Sequence, residues 1–143
     1  MNKKGFTLVE LLAVIVLLAV VTLMASVSIT GIQRKMHAQT LNSQLMHIVT
    51  SAINFGEDHR EDITASGTSI TVRDLLGEDY LSSVLQDKDT GEYYIKNDIT
   101  GENINALTVK IYLKSSRVYA CIENTSDNIE LLTDELKSEY YCS

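Results

Sequence analysis

The chain has 143 residues and a formal net charge of −7, with 45% hydrophobic residues, two cysteines, no tryptophan and no proline. That length is one domain's worth, which excludes a second large domain. Eighteen of the nineteen acids lie beyond Gly56, against eight basic residues, so that part carries −10 and does not grip nucleic acid by bulk electrostatics; only a local basic patch stays open.

The first element is Lys3-Lys4-Gly5-Phe6-Thr7-Leu8-Val9-Glu10, followed by an uncharged stretch from Leu11 to Ile29. As a helix, those 19 residues rise roughly 28 Å, close to a hydrocarbon core of about 30 Å. Glu10 is the anomaly. An ionised carboxylate costs roughly 2.5 to 3.5 kcal/mol at the centre of a membrane helix and less toward its ends, so Glu10 needs a partner or an edge position.

Gly5-Phe6-Thr7-Leu8-Val9-Glu10 behind a basic leader resembles the class III signal of type IV prepilins. The resemblance implies that a membrane peptidase cuts after Gly5, that the new N-terminal Phe6 is N-methylated, and that Glu10 guides assembly. It also implies an assembly platform and an ATPase as partners. Chemistry agrees with these roles: cutting after Gly5 places a cationic amine on Phe6, and Glu10 of a subunit already in a filament offers it a counter-ion. Three plainer readings compete. A secretory signal cleaved near Ser26-Val27-Ser28 and an uncleaved signal anchor leave Glu10 unexplained, and the uncharged run is too long for a soluble core helix.

Basic residues bias the orientation weakly, with the start amine, Lys3 and Lys4 on one side of the apolar run and Arg34 and Lys35 on the other. Beyond that run Ile29, Ile32, Met36, Leu41, Leu45, Ile48, Val49, Ala52 and Ile53 recur at spacings of mostly three and four. The helix is therefore expected to continue as an amphipathic one and to end at Phe55-Gly56, with Gly56 as a left-handed cap. From Phe6 to Phe55 it would extend roughly 75 Å if continuous. Many type IV pilins carry a proline at the position of Val27, and here Gly31 with its Ser and Thr neighbours is the weakest helical stretch instead.

Residues 57–69 read as an acidic loop, then Thr71 and Asp74 resemble a capping box opening a helix from Val72 to Leu85. His59 reads as a solvated loop residue, and His37 and His47 as solvent-facing. Asp87-Lys88-Asp89-Thr90-Gly91-Glu92 superficially follows a calcium loop, but its glycine comes one position early and the twelfth residue is Asp98, so a Thr-Gly turn is favoured; Thr100-Gly101-Glu102 echoes it. Some secretion pseudopilins bind calcium in this part of the head, which keeps weak binding as a minor hypothesis.

Strands are expected at Glu92–Lys96, Leu107–Leu113 and Val118–Ile122, the last two as a hairpin with Leu107, Val109, Ile111 and Leu113 facing the long helix. Val118, Ala120 and Ile122 join them, and Cys121 points to the opposite face. Cys121 and Cys142 either pair or stand as two part-buried thiols; a bond closing 21 residues stabilises by roughly 3 kcal/mol in the chain-entropy model and suits an exported head. The resemblance implies pairing, since many pilins staple the C-terminal tail to the sheet this way. Ile129, Leu132 and Leu136 suggest a short acidic helix, and Asn124-Thr125-Ser126 reads as a turn.

The fold class expected is α+β: a long N-terminal helix, membrane-spanning and then amphipathic, packed on a small antiparallel sheet. Residues 1–5 form the leader, 6–55 the spine helix with 6–29 in the membrane, and 56–143 the head. No nucleophile–base pair, phosphate-cradling loop or zinc signature appears, so neither enzymatic activity nor a cofactor is expected. The resemblance implies a structural pilin, major or minor, placed in the cytoplasmic membrane and then in an extracellular filament. The alternatives are a pseudopilin of a secretion or DNA-uptake machine and, from another class, a signal-anchored surface binding domain.

Overall fold

A computed structural model describes residues 5–128 and 140–143, and among them the side chains of all but 25–30. The chain divides into two compact units, Met1–Met36 and His37–Ser143. Helix α1, Leu8–Asp58, passes through both. The architecture is α+β: α1, a short helix α2 (Val72–Gly77), and a three-stranded antiparallel sheet of β1 (Thr68–Thr71), β2 (Thr108–Lys114) and β3 (Arg117–Ile122) in that order.

In the first unit every described side chain is exposed, including Leu11, Leu12, Ile15 and Leu18. The polar Thr22 settles its hydroxyl within the helix, donating to the carbonyls of Leu18 and Ala19 at 3.0 and 2.9 Å. That is how a hydroxyl is accommodated on an apolar helix without a water partner. Among the described residues, no helix is long and apolar enough to cross a membrane. The expected span to Ile29 runs into residues 25–30, whose side chains lie outside the description.

The second unit has the core. Leu41, Leu45, Ile48 and Ala52, spaced four, three and four apart, are fully buried along one stripe of α1. Each large aliphatic side chain so buried contributes roughly 1.5 to 3 kcal/mol. They pack in one cluster with Ile70, Val72, Leu75, Ile104, Leu107, Val109, Ile111, Val118 and Ile122. The helix does not stop at Gly56. It continues to Asp58, and Gly56 serves as a point of close approach: a Cβ there would lie 2.6 Å from Ile111 Cγ2 and 2.8 Å from Val118 Cγ1. His59 stacks on Phe55 at 4.2 Å and meets Tyr80 edge-on, which corrects its reading as a solvated loop residue.

Three of the expected elements differ. Thr71 and Asp74 do form a capping box, with Thr71 N–H donating to Asp74 Oδ2 at 2.8 Å and Asp74 N–H to Thr71 Oγ1 at 3.2 Å. Yet α2 ends at Gly77, well before Leu85, because the N–H groups of Tyr80 and Leu81 both return to Leu75 O and Asp79 takes a left-handed φ of 60°. Strand β1 occupies part of the expected loop, since Ile70 is its one buried apolar residue and gives no alternation to read.

The expected strand Glu92–Lys96 is instead the link between two matching turns, held by single bridges Gln86↔Tyr93 and Lys96↔Asn103. Asp87 Oδ1 accepts from the N–H groups of Asp89 and Thr90, and ten residues later Asn97 Oδ1 accepts from those of Ile99 and Thr100. Gly91 and Gly101 close the turns at φ 71° and 81°, their N–H groups donating to the carbonyls of Asp87 and Asn97.

The β2–β3 hairpin turns through Ser115 and Ser116, both left-handed at φ 51° and 62°, as a two-residue loop matching strand twist requires. Val109 and Ile111 face the core, whereas Leu113, beside the hairpin turn, is 43% exposed and departs from its expected place under the helix. Beyond β3, Tyr141 bridges Ile122 in parallel, and Cys142 is disulfide-bonded to Cys121 with Cα atoms 5.0 Å apart. The expected helix at Ile129–Leu136 lies outside the described residues.

Candidate functional site

The segment Gly5–Glu10 brings the first three candidate residues together. Residues 5–7 are non-helical and exposed, and α1 begins at Leu8, so the Gly5–Phe6 bond stands outside the helix with open space around Gly5. Phe6 is 78% exposed. A peptidase must take its substrate extended, since helical amides are committed to their own ladder, and this bond needs no unwinding.

Thr7 is what stops the helix short of the bond. Its N–H and its hydroxyl both donate to Glu10 Oε2 at 3.0 Å, and Glu10 N–H donates back to Thr7 Oγ1 at 3.3 Å. This is a capping box, in which side chains satisfy helix-end donors that have no intrahelical acceptor. Glu10 is also an anion in the first turn, where the helix dipole favours it. Thus Glu10 has a local partner that the sequence reading overlooked. The sequence carries its signal, since Thr7-Leu8-Val9-Glu10 has the same spacing as Thr71 and Asp74.

The remaining candidates stand in the second unit. Cys121, on the sheet face away from the core, carries the bond to Cys142, flanked by Ile122 N–H donating to Tyr140 O at 2.8 Å and Cys142 N–H to Ile122 O at 2.9 Å. In the calcium-like segment, the Asp87 carboxylate is turned onto backbone donors, and the Thr90 and then the Asp89 N–H hold it below its usual carboxylate range. Among the described residues no three His, Cys, Asp or Glu side chains gather as metal ligands. His37 is exposed and its Nδ1 lies 2.7 Å from Asp98 Oδ2.

Buried amides carry structural tasks that no pattern announces. Asn105 donates to Tyr93 O and accepts from Ile95 N–H, while Asn128 donates to Thr108 O and Glu123 O and accepts from Thr108 N–H. A groove of about 560 Å³ runs past Gln44, His47, Ser51, Tyr80 and Lys96. The Tyr80 hydroxyl is committed to Asp58 Oδ2 at 2.7 Å, and that bond raises its pKa.

Residues 1–26 match the family model described as the prokaryotic N-terminal methylation motif. No curated protein and no solved structure matches the chain. An exposed bond after Gly5, a capped helix start at Thr7 and an acid in its first turn all fall within the matched residues. The N-terminal segment is the class III prepilin signal of type IV pilins and pseudopilins.

Proposed function

We propose that the chain is a structural subunit of a type IV pilus or a related filament. A prepilin peptidase cuts after Gly5, Phe6 is N-methylated, and the subunit assembles through α1. The supporting observation is the pairing of a matched prepilin signal with a helix half whose described apolar side chains are all exposed within their own unit. Such a helix needs a surrounding of lipid first and of like helices afterwards.

The leader stays cytoplasmic, residues 6–29 anchor the subunit in one pass, and the head with its Cys121–Cys142 bond lies outside. Cleavage leaves Thr7 intact, so the cap survives it. Glu10 Oε2 remains on Thr7, while Oε1, which accepts no hydrogen bond among the described residues, is open to the Phe6 ammonium of an incoming copy. The subunit catalyses nothing itself; a platform and an ATPase move it from lipid into the filament. A pseudopilin of a secretion or DNA-uptake machine shares this spine and differs in what the head touches.

The test is the intact mass and N-terminal sequence of the protein from its native host. A chain starting at methylated Phe6 is the expected result. A start near residue 28, or at Met1, overturns the reading in favour of a secreted or signal-anchored domain.

A further inference from the structure

Along β2 and β3, Lys110, Tyr112 and Lys114 and then Arg117, Tyr119 and Cys121 alternate with the core-facing residues, which puts them on the sheet face turned away from α1. Tyr112 and Tyr119 are register partners with stacked rings, 5.8 Å between centroids. Lys114 stands directly opposite Arg117. Like charges placed so are mutually destabilising. Among the described residues no ion pair engages Lys110, Lys114 or Arg117, although the part of the chain beyond Gly56 has ten more acids than bases. An acidic surface from outside the chain removes that repulsion, and a paired aromatic beside Arg is the composition of a binding anchor.

The head also carries the complement. The two matching turns expose Asp89 and, just past each glycine, Glu92 and Glu102; Glu92 also pairs with Arg73 at 3.7 Å, and Asp98 lies within the second turn. The second turn is fastened to α1 through His37, whose Nδ1 is 2.7 Å from Asp98 Oδ2, and through Gln44, whose Nε2 donates to Lys96 O at 3.2 Å. The hairpin meets α1 at Gly56 and is held by Arg60 Nη2 donating to Ser116 O at 2.8 Å. From Gln44 to Gly56 the helix rises roughly 18 Å. The second turn and the hairpin are therefore anchored at opposite ends of the helical part of the head. Copies displaced along a common helix direction bring the hairpin end of one toward the turn end of the next. A contact between two unlike surfaces repeats without closing, as a filament requires.

We propose that the basic β2–β3 face of one copy docks on the acidic paired turns of the next copy along the filament. This rests on the filament reading above. The spine supplies the high effective concentration at which a small, charge-matched contact is occupied.

The test uses the full-length chain in its native host, with Lys114→Glu/Arg117→Glu, with Asp89→Lys/Glu102→Lys, and with all four changes. Each double variant is expected to lower the amount of this chain in sheared filaments about fivefold or more, and the fourfold variant to return it to within about twofold of the wild type. Near-UV circular dichroism and the Cys121–Cys142 bond serve as folding controls. A double variant recovered at the wild-type level, or a fourfold variant no better than the doubles, overturns the proposal. Normal assembly of Lys114→Glu/Arg117→Glu with lost retention of a labelled single-stranded oligonucleotide also overturns it and assigns the face to a polyanion. A wild-type chain that keeps Met1–Gly5 and enters no filament removes the filament reading itself, and this contact with it.

Discussion

The two ends of α1 make the instructive comparison. Leu11, Leu12, Ile15 and Leu18 stand 55 to 58% exposed, while Leu41, Leu45 and Ile48 are completely buried. The side chains are of the same kind, so the difference lies in what the chain supplies as cover. The later segment is amphipathic and has a sheet to meet; the earlier one is apolar on all sides, and nothing among the described residues covers it. One segment is stabilised by folding; under the filament reading proposed above, the other is stabilised by its surroundings.

That contrast breaks most visibly at Glu10. Glu10→Ala is expected to abolish incorporation into filaments, with cleavage largely intact and the thermal midpoint of the head unmoved; normal incorporation would show that the first segment needs no charge of its own. Leu45→Ala should do the reverse, costing the head about 2 to 5 kcal/mol in denaturant unfolding while processing at Gly5 proceeds. Replacing Cys121 and Cys142 by Ser should remove about 3 kcal/mol, again from the head alone. Gly56→Ala should cost about 1 to 2 kcal/mol, because the added methyl meets Ile111 and Val118 at under 3 Å and the gain in helix propensity only partly offsets that overpacking.

The smallest effect separates two matching places within the head. Donation from the Thr90 and Asp89 N–H groups lowers the pKa of Asp87. The stability this gives is present above the unfolded carboxylate value of about 3.9 and is lost as pH falls through the lower folded value. Asn97 makes the same bonds without titrating. Hydrogen exchange as the pH is lowered should therefore show Asp89 and Thr90 amides losing protection while those of Ile99 and Thr100 keep theirs; equal loss in both turns would discard the Asp87 explanation.

Much of this arrangement was legible in the sequence where a pattern repeats. Three-and-four spacing located the buried stripe at Leu41–Ala52, and alternation located β2 and β3 with Cys121 on the outer face. Failures came where single contacts outweigh local preference. Gly56 looked like a helix stop because glycine favours caps, yet its missing side chain is used by the sheet. Leu81, Val84 and Leu85 carried helical spacing past Gly77, but Val84 is almost wholly exposed and Leu75 O closes the turn instead. At the N-terminal site the residue types were readable and their mutual bonding was not, because a carboxylate that needs a partner does not say which one.

The matching turns at Asp87 and Asn97 bear on how far damage to one place in the head spreads. Each closes on its own side-chain oxygen, its own threonine and its own glycine, and Lys96 hands directly on to the second. The segment thus has a natural quantum of ten residues. A substitution that opens one turn is therefore expected to leave the bonds that close the other in place.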